Sequence, residues 1–235
     1  MAEPTLSVTI NTLRREVGVY LGWGRDIASW NNTNLQDFDD IAVRALRSFY
    51  FPPTGPDEPR YEWTFMRKTG TITLATGDAD YDFGDDFGGT ILDDSVTYAS
   101  GQNKRPLQIV PESTIRSLQS MDSQTGVPKY YATRNKAHNA TTGQRWEMLV
   151  YPTPTSAENN LVLTFRYIHV PDTISNTNIY PVGGAQYSEA ILASFLAAAE
   201  ARHDDDPNGP MQQRYLQVLG QAMRNDRNQK DLLMS

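Results

Sequence analysis

Apolar residues recur at helical spacing in the first and last parts of the chain. In residues 1–56 this spacing predicts two helices, which Gly22 and the pair Pro52 and Pro53 are placed to end. In residues 184–235 an alanine-rich stretch and a second amphipathic stretch predict two more helices, separated by the segment HDDDPNGP. Neither pair can bury its apolar face alone, so we expect 1–56 and 184–235 to pack together as one helical bundle domain.

Between these ends the period of the pattern changes from 3.6 to 2. Apolar and polar residues alternate over four short runs, which predicts strands. These runs are residues 61–66, 71–74, 146–150 and 161–168. The last two carry apolar residues on both faces, so we expect them to be central or covered on both sides, and the connection PTPTSAEN to join them as an antiparallel pair. One short helix is predicted over residues 111–121.

The whole pattern predicts an α+β fold. A discontinuous α-helical bundle, made of the N- and C-terminal helices, carries an inserted antiparallel β-sandwich or barrel domain over residues 57–183. Of the 235 residues, 39% are hydrophobic and 21% are charged, as in an ordinary folded protein.

Charge and composition exclude several classes of function. The chain has 21 basic and 28 acidic residues and a net charge of −7, which disfavours a surface built to neutralise nucleic-acid phosphates. It has no cysteine, so disulfides, thiol nucleophiles and thiolate metal sites are excluded. The N-terminus lacks the basic start and apolar core of a signal peptide, and no run approaches 18 apolar residues. We therefore expect a soluble protein with no membrane partner.

The segment GDADYDFGDDF, residues 77–87, contains five aspartates in eleven residues. Its first three aspartates have the alternate spacing of a calcium loop, but Phe83 stands where such a loop requires glycine and Gly89 where it requires a bidentate glutamate. We interpret the segment as a turn between two strands, in which Asp78 and Asp80 are solvated. The residues that face inward are then the aromatic ones, Tyr81, Phe83 and Phe87.

The second acidic segment, residues 203–206, follows a predicted helix. Three adjacent aspartates cannot all reach one ion from regular structure, so we interpret this segment as a solvated helix end. We expect neither acidic segment to hold a metal ion.

Signatures of catalysis are sparse. The histidines are far apart along the chain, and no serine occupies a nucleophile elbow. Two adjacent pairs of carboxylates remain as candidates for a hydrolase, Asp85 with Asp86 and Asp93 with Asp94. Adjacent residues on a strand point to opposite faces, so neither pair flanks a single bond. We expect neither an enzyme nor a cofactor.

Basic and aromatic residues leave two binding hypotheses open. One is stacking of single-stranded nucleic acid, which the acidic balance disfavours. Its candidate residues are Lys104, Arg105, Lys129, Arg134 and Lys136 with Tyr130 and Tyr131. The other is a virion or cell-surface β-sandwich that binds carbohydrate, with Trp63, Trp146 and the same two tyrosines as candidates.

Several short signatures follow one another over residues 70–220. They are the turn with Gly77, Tyr81, Phe83, Asp86 and Phe87, then ILDDSVTY, LQIVPESTIRSL, TGVPKYYA, WEMLVYPTP and LVLTFRYIHVPD, before the alanine-rich helices. In this order they resemble the head–tail adaptor (tail tubular A-like) proteins of short-tailed bacteriophages. The resemblance implies a structural virion protein, made in the host cytoplasm, that forms a ring of twelve copies. Its partners would be the portal and the next tail or nozzle protein, and DNA would pass through its channel without sequence-specific binding.

Two groups of residues are expected to make these contacts. We expect the helical bundle to form the body of the ring, with copies packed through the small residues Ala193, Ala197 and Ala201. Residues 225–235 are polar with an apolar tip, and we expect them to be unfolded alone and to order on the portal. The tip consists of Leu232, Leu233 and Met234. We expect side chains that face the channel to be acidic or neutral.

Overall fold

A computed structural model describes residues 3–53, 59–204 and 208–234, with the side chains of 93–95 and 231–234 left out. It confirms the α+β class and the helices at both ends. Residues Met1–Met66 and Pro171–Ser235 form one compact unit, the helical unit, and Arg67–Val170 form the other, the β unit. The described helices are α1 (Ile10–Tyr20), α2 (Asn32–Tyr50), α3 (Glu112–Met121), α4 (Ser188–His203) and α5 (Pro210–Met234).

The helical unit is built from α1, α2, α4 and α5. Asn31 caps α2 through its side chain, which accepts a hydrogen bond from the backbone N–H of Asn34 at 2.8 Å. Helix α4 packs against each of the other three helices and is buried on most of its surface. The apolar faces that the sequence predicts for α2 and α4 meet in one core, where Phe38 and Phe195 are fully buried.

Residues 61–66 do not form the predicted strand. They form an irregular segment that ends in a 3₁₀ turn over Thr64–Met66 and belongs to the helical unit. Trp63 is fully buried there and donates a hydrogen bond from Nε1 to the Phe49 carbonyl at 3.0 Å. The aromatic residues alternate in this segment because it inserts their rings into the core of the helical unit. The boundary between the units therefore falls after Met66 rather than near residue 57.

The β unit contains two sheets. Its strands are β1 (Arg67–Thr73), β2 (Asp80–Asp82), β3 (Phe87–Tyr98), β4 (Gln108–Ile109), β5 (Tyr130–Asn135), β6 (Trp146–Tyr151) and β7 (Val162–His169). The first sheet has the order β1-β7-β3 and the second β2-β6-β5-β4. All pairs are antiparallel except β4 with β5.

The two sheets share one core, to which Phe165 of the first sheet and Met148 of the second both contribute. Helix α3 covers the other face of the second sheet through Ile115, which packs with Leu149 and Tyr151 of β6. The prediction that β6 and β7 are central strands is confirmed. The prediction that they pair with each other is wrong, because each is the centre of a different sheet and the segment between them crosses from one sheet to the other.

Candidate interaction surfaces

The acidic turn connects β2 of the second sheet to β3 of the first. Its aromatic residues face inward as predicted, with Phe83 and Phe87 stacked at a centroid distance of 3.9 Å. Tyr81 is partly buried, and its hydroxyl group donates to the Asp78 carbonyl at 3.0 Å. Asp78 and Asp80 are exposed, as expected, and form no ion pair with a described residue.

The other aspartates of this turn are held by separate cations. Asp82 pairs with Lys136 at 2.6 Å, and Asp85 pairs with Arg145. The carboxylates therefore point to different partners, and over the described residues no group of three or more acidic or histidine side chains is placed to hold a metal ion.

Asp86 lies at the centre of a partly buried hydrogen-bonded cluster. Its Oδ2 atom accepts from Lys68 Nζ at 2.6 Å and from the Tyr167 hydroxyl at 2.9 Å, and lies 3.0 Å from His169 Nδ1. Burial alone raises the pKa of the Asp86 carboxyl, but the hydrogen bonds from Lys68 and Tyr167 outweigh it and hold that pKa below its usual value. Asp85 and Asp86 thus face different partners, while the side chains of Asp93 and Asp94 lie outside the described residues.

The candidate nucleic-acid residues separate into two groups. Arg134 and Lys136 are engaged by acidic residues: Arg134 Nε donates to the buried Glu147 at 2.5 Å, and Lys136 pairs with Asp82. Tyr131 is fully buried in the core between the sheets.

The second group forms a surface groove with a volume of about 530 Å³, here called the basic groove. Its charged residues are Lys104, Arg105 and Lys129, all exposed, and none of them forms an ion pair with a described residue. Val127, Pro128 and Tyr130 supply its apolar part, and no acidic side chain lines it within the described part of the chain. The groove combines exposed cations with an apolar floor, which suits an acidic segment that also has some apolar surface.

The aromatic residues proposed for carbohydrate are poorly placed. Trp63 and Tyr131 are fully buried, and Trp146 and Tyr130 are partly buried against core clusters. A sugar needs an exposed ring face to stack on, and neither of the buried rings offers one.

The alanines that were expected to pack copies together are in the core instead. Ala193 and Ala197 are each 3% exposed, because α4 passes between the other helices of its own unit. They cannot contact a second copy while the unit keeps this packing. Ala201 is partly buried near the end of α4.

The C-terminal segment is helical from residue 225 to Met234, contrary to the expected unfolded tail. Asp226 is 1% exposed, and its carboxylate accepts hydrogen bonds from the hydroxyl groups of Tyr61, Thr64 and Tyr187 at 2.9, 2.5 and 2.9 Å and from the Thr64 N–H at 3.2 Å. Sequence reasoning missed this site. The sequence does contain a signal for it. Tyr215, Leu219 and Ala222 recur at helical spacing, and the same spacing places position 226 on their buried face.

The side chains of Leu232, Leu233 and Met234 lie outside the described residues.

The second acidic segment is described only in part. Asp204 follows α4 and accepts a hydrogen bond from the Tyr20 hydroxyl at 3.1 Å, and His203 is exposed. Burial first, and then this hydrogen bond, raise the pKa of Tyr20 to about 12. Asp205 and Asp206 lie outside the described residues.

A comparison with known protein families gives one clear match. The model of a family described as SU10 adaptor protein matches residues 8–234, nearly the whole length of the chain and both of its units. No curated protein matches the chain. Among the described helices, none has the length and apolar character needed to span a lipid bilayer.

Proposed function

Because the chain belongs to the SU10 adaptor family, a family of phage head–tail adaptors, we propose that it forms a ring beneath the portal of a tailed bacteriophage. The ring, of twelve copies, extends the DNA channel and offers the next tail protein a docking surface. The match over residues 8–234 carries this proposal, since it includes both units. The protein is in any case a structural phage adaptor, and its place is the virion.

The described residues form a structure that suits a protein acting through contacts with other proteins. Its most deeply buried carboxylates, on Glu147, Glu200 and Asp226, are satisfied by hydrogen bonds from neighbouring groups of the same unit. Such groups hold a rigid shape. The net charge of −7 suits a conduit through which DNA slides without adhering, and we propose that acidic or neutral side chains face the channel.

Imaging the purified chain with portal particles tests this function. We expect ring-shaped particles in negative stain and co-sedimentation of the chain with portal rings. A chain that remains monomeric both alone and with portal particles would reject the proposal.

The apolar tip of α5 is the proposed portal contact. We expect removal of residues 229–235 to abolish co-sedimentation with portal rings and to leave the helical unit folded, since Asp226 and its partners remain. The substitutions Leu232→Ala, Leu233→Ala and Met234→Ala, made together, should weaken binding in the same direction without shortening the helix.

Met121→Ala is the matched control for this experiment. Met121 is an apolar side chain that is 84% exposed at the end of α3, and its loss should leave portal binding unchanged. Portal binding that survives both the deletion and the triple substitution would exclude the tip as the contact. The imaging experiment would still test whether the chain forms a ring.

A further inference from the structure

The second sheet has charges of opposite sign at its two edges. The order β2-β6-β5-β4 places β2 at one edge and β4 at the other, about 15 Å apart across three strand spacings. The basic groove lies at the β4 edge, between the residues that lead into β4 and those that lead into β5. Asp78 and Asp80 lie at the β2 edge and are here called the acidic edge.

The charges at both edges lack ion-pair partners within the described part of the protomer. Lys104, Arg105 and Lys129 form no ion pair there, nor do Asp78 and Asp80. Neighbouring charges on the same sheet do find partners, as Asp82 does with Lys136. An exposed charge without a partner is well solvated, and it can gain an opposite charge from another molecule at little desolvation cost.

We propose that the acidic edge of one copy docks in the basic groove of the next copy. The inference rests on the proposed ring, and it gives that ring a contact in place of the buried alanines. The two surfaces differ and lie at opposite edges of the sheet, so the contact is head to tail. Contacts of this kind generate a closed ring when the rotation between copies closes. Arg105 suits bidentate binding of an aspartate, and the two lysines add charge that needs less exact geometry.

Side chains rather than backbone make this contact. Leu107, next to β4, forms a bridge with Val96 of the first sheet, so the chain at this edge is already engaged. An added strand would have to displace that bridge. A turn that carries Asp78 and Asp80 only has to reach the cations and the apolar floor formed by Val127 and Pro128.

A nucleic acid is the competing occupant of the groove. The observations favour a second copy because the chain itself supplies the complementary acidic surface. They also favour it because a groove that bound phosphates would retain the DNA that is proposed to slide past.

Charge reversal with mixing tests the proposal. The groove variant carries Lys104→Glu, Arg105→Glu and Lys129→Glu, and the edge variant carries Asp78→Lys and Asp80→Lys. In each variant alone, the groove and the edge carry charges of the same sign and repel each other. We therefore expect the fraction of protein in rings to fall about tenfold or more, as measured by sedimentation velocity and negative stain. In an equimolar mixture, every groove can meet an edge of opposite charge, so rings of alternating copies should return. Both variants remain net negative, so overall attraction does not explain such a rescue.

A variant with the same change in charge serves as the control. Arg15→Glu, Arg25→Glu and Arg44→Glu alter exposed arginines of the helical unit that form no ion pair with described residues, and this protein should form rings as the wild type does. Circular dichroism establishes that each variant is folded. If the wild type requires portal particles to assemble, every sample in the experiment includes them.

The remaining outcomes overturn the proposal. Rings formed by the groove variant alone, or a mixture that does not assemble, reject the contact. Rings that persist while the groove variant loses binding to a labelled single-stranded oligonucleotide identify a nucleic-acid site instead. In these cases the wild type still forms rings, so the proposed function stands. A wild type that forms no ring, with or without portal, rejects the function and this contact together.

Discussion

At the scale of single residues, Asp226 is the clearest case of a polar group placed where the helical pattern requires an apolar one. Its carboxylate accepts from three hydroxyl groups and one backbone N–H, and these donors come from the 61–66 segment and from the residue before α4. Burial first, and then the hydrogen bond to Asp226, raise the pKa of both Tyr61 and Tyr187 above the usual tyrosine value. Asp226 thereby joins α5 to two other parts of the helical unit.

Substituting Asp226→Asn should destabilise the helical unit strongly. The amide keeps the size of the side chain but presents an NH₂ group to hydroxyl and N–H donors, so buried donors lose their acceptor. We expect the free energy of unfolding to fall by about 2–4 kcal/mol in urea titrations. Asn225→Ala, at an exposed neighbouring position, should change it by less than about 0.5 kcal/mol. Equal effects of the two substitutions would contradict the role given to Asp226.

Asp86 should make stability depend on pH. Its pKa is lower in the folded chain than its usual value, so it stabilises the fold above the ordinary carboxyl pKa of about 4, and this stabilisation is lost as the pH falls through the lower, folded value. The difference in free energy of unfolding between wild type and Asp86→Asn should therefore be steady from pH 7 to about 5 and shrink below about 4. Asp78→Asn, at an exposed site that forms no ion pair with a described residue, should leave stability at pH 7 unchanged. A difference that grows towards acid would show the sign to be wrong.

At the scale of elements, α4 and α5 are coupled where α5 begins. The buried side chain of Glu200 on α4 accepts from the backbone N–H groups of Met211 and Gln212 at 3.2 and 3.0 Å, in the first turn of α5. These N–H groups have no partner within their own helix, and a carboxylate also suits the positive end of the helix dipole. Gly209 lies directly against this carboxylate.

Two glycine substitutions separate this contact from helix propensity. A Cβ atom at Gly209 would overlap the Glu200 carboxyl group, so Gly209→Ala should displace the cap and lower the free energy of unfolding by about 1–3 kcal/mol. Gly220 lies inside α5 with open space around it, so Gly220→Ala should raise stability by about 0.5–1 kcal/mol. Hydrogen exchange should show faster exchange at Met211 and Gln212 in the first variant only. The two substitutions should change the free energy of unfolding in opposite directions. If both substitutions stabilised the protein, Glu200 would not cap α5.

At the scale of the whole molecule, the β unit has the features of an independent folding unit. Arg67, at its start, pairs with Ile168 near its end, so its termini are adjacent. Its main core cluster contains residues from both sheets, and none of the described residues of the helical unit belongs to it. A segment with adjacent ends and its own core is typical of an inserted domain.

A fragment of residues 67–170 should therefore fold by itself. We expect a β-type circular dichroism spectrum, dispersed amide resonances and a cooperative transition in urea. A fragment of residues 67–144 lacks β6 and β7, the central strands of both sheets, and should remain unfolded. An unstructured 67–170 fragment would show that its core depends on the rest of the chain.

Much of this protein follows from the sequence because amphipathic periodicity is a local property. The spacing of apolar residues is enough to place α1, α2, α4 and α5, and Pro52 and Pro53 follow the end of α2 closely. The doubly apolar pattern of β6 and β7 correctly indicates central strands, and the inward aromatics of the 77–87 turn follow from turn chemistry.

Only the tertiary structure decided which surfaces face which. Alternation cannot distinguish a strand from an irregular segment that buries aromatic rings, as at 61–66, and it does not say whether two central strands share a sheet. The small residues Ala193 and Ala197 suit a close helix neighbour, but the neighbour belongs to the same chain. Likewise, the sequence provides Lys104, Arg105 and Lys129 without showing that they line one groove, while Arg134 and Lys136 are neutralised elsewhere. These outcomes depend on contacts between residues that are distant in sequence. Such contacts form only when the folded chain brings apolar faces and opposite charges together.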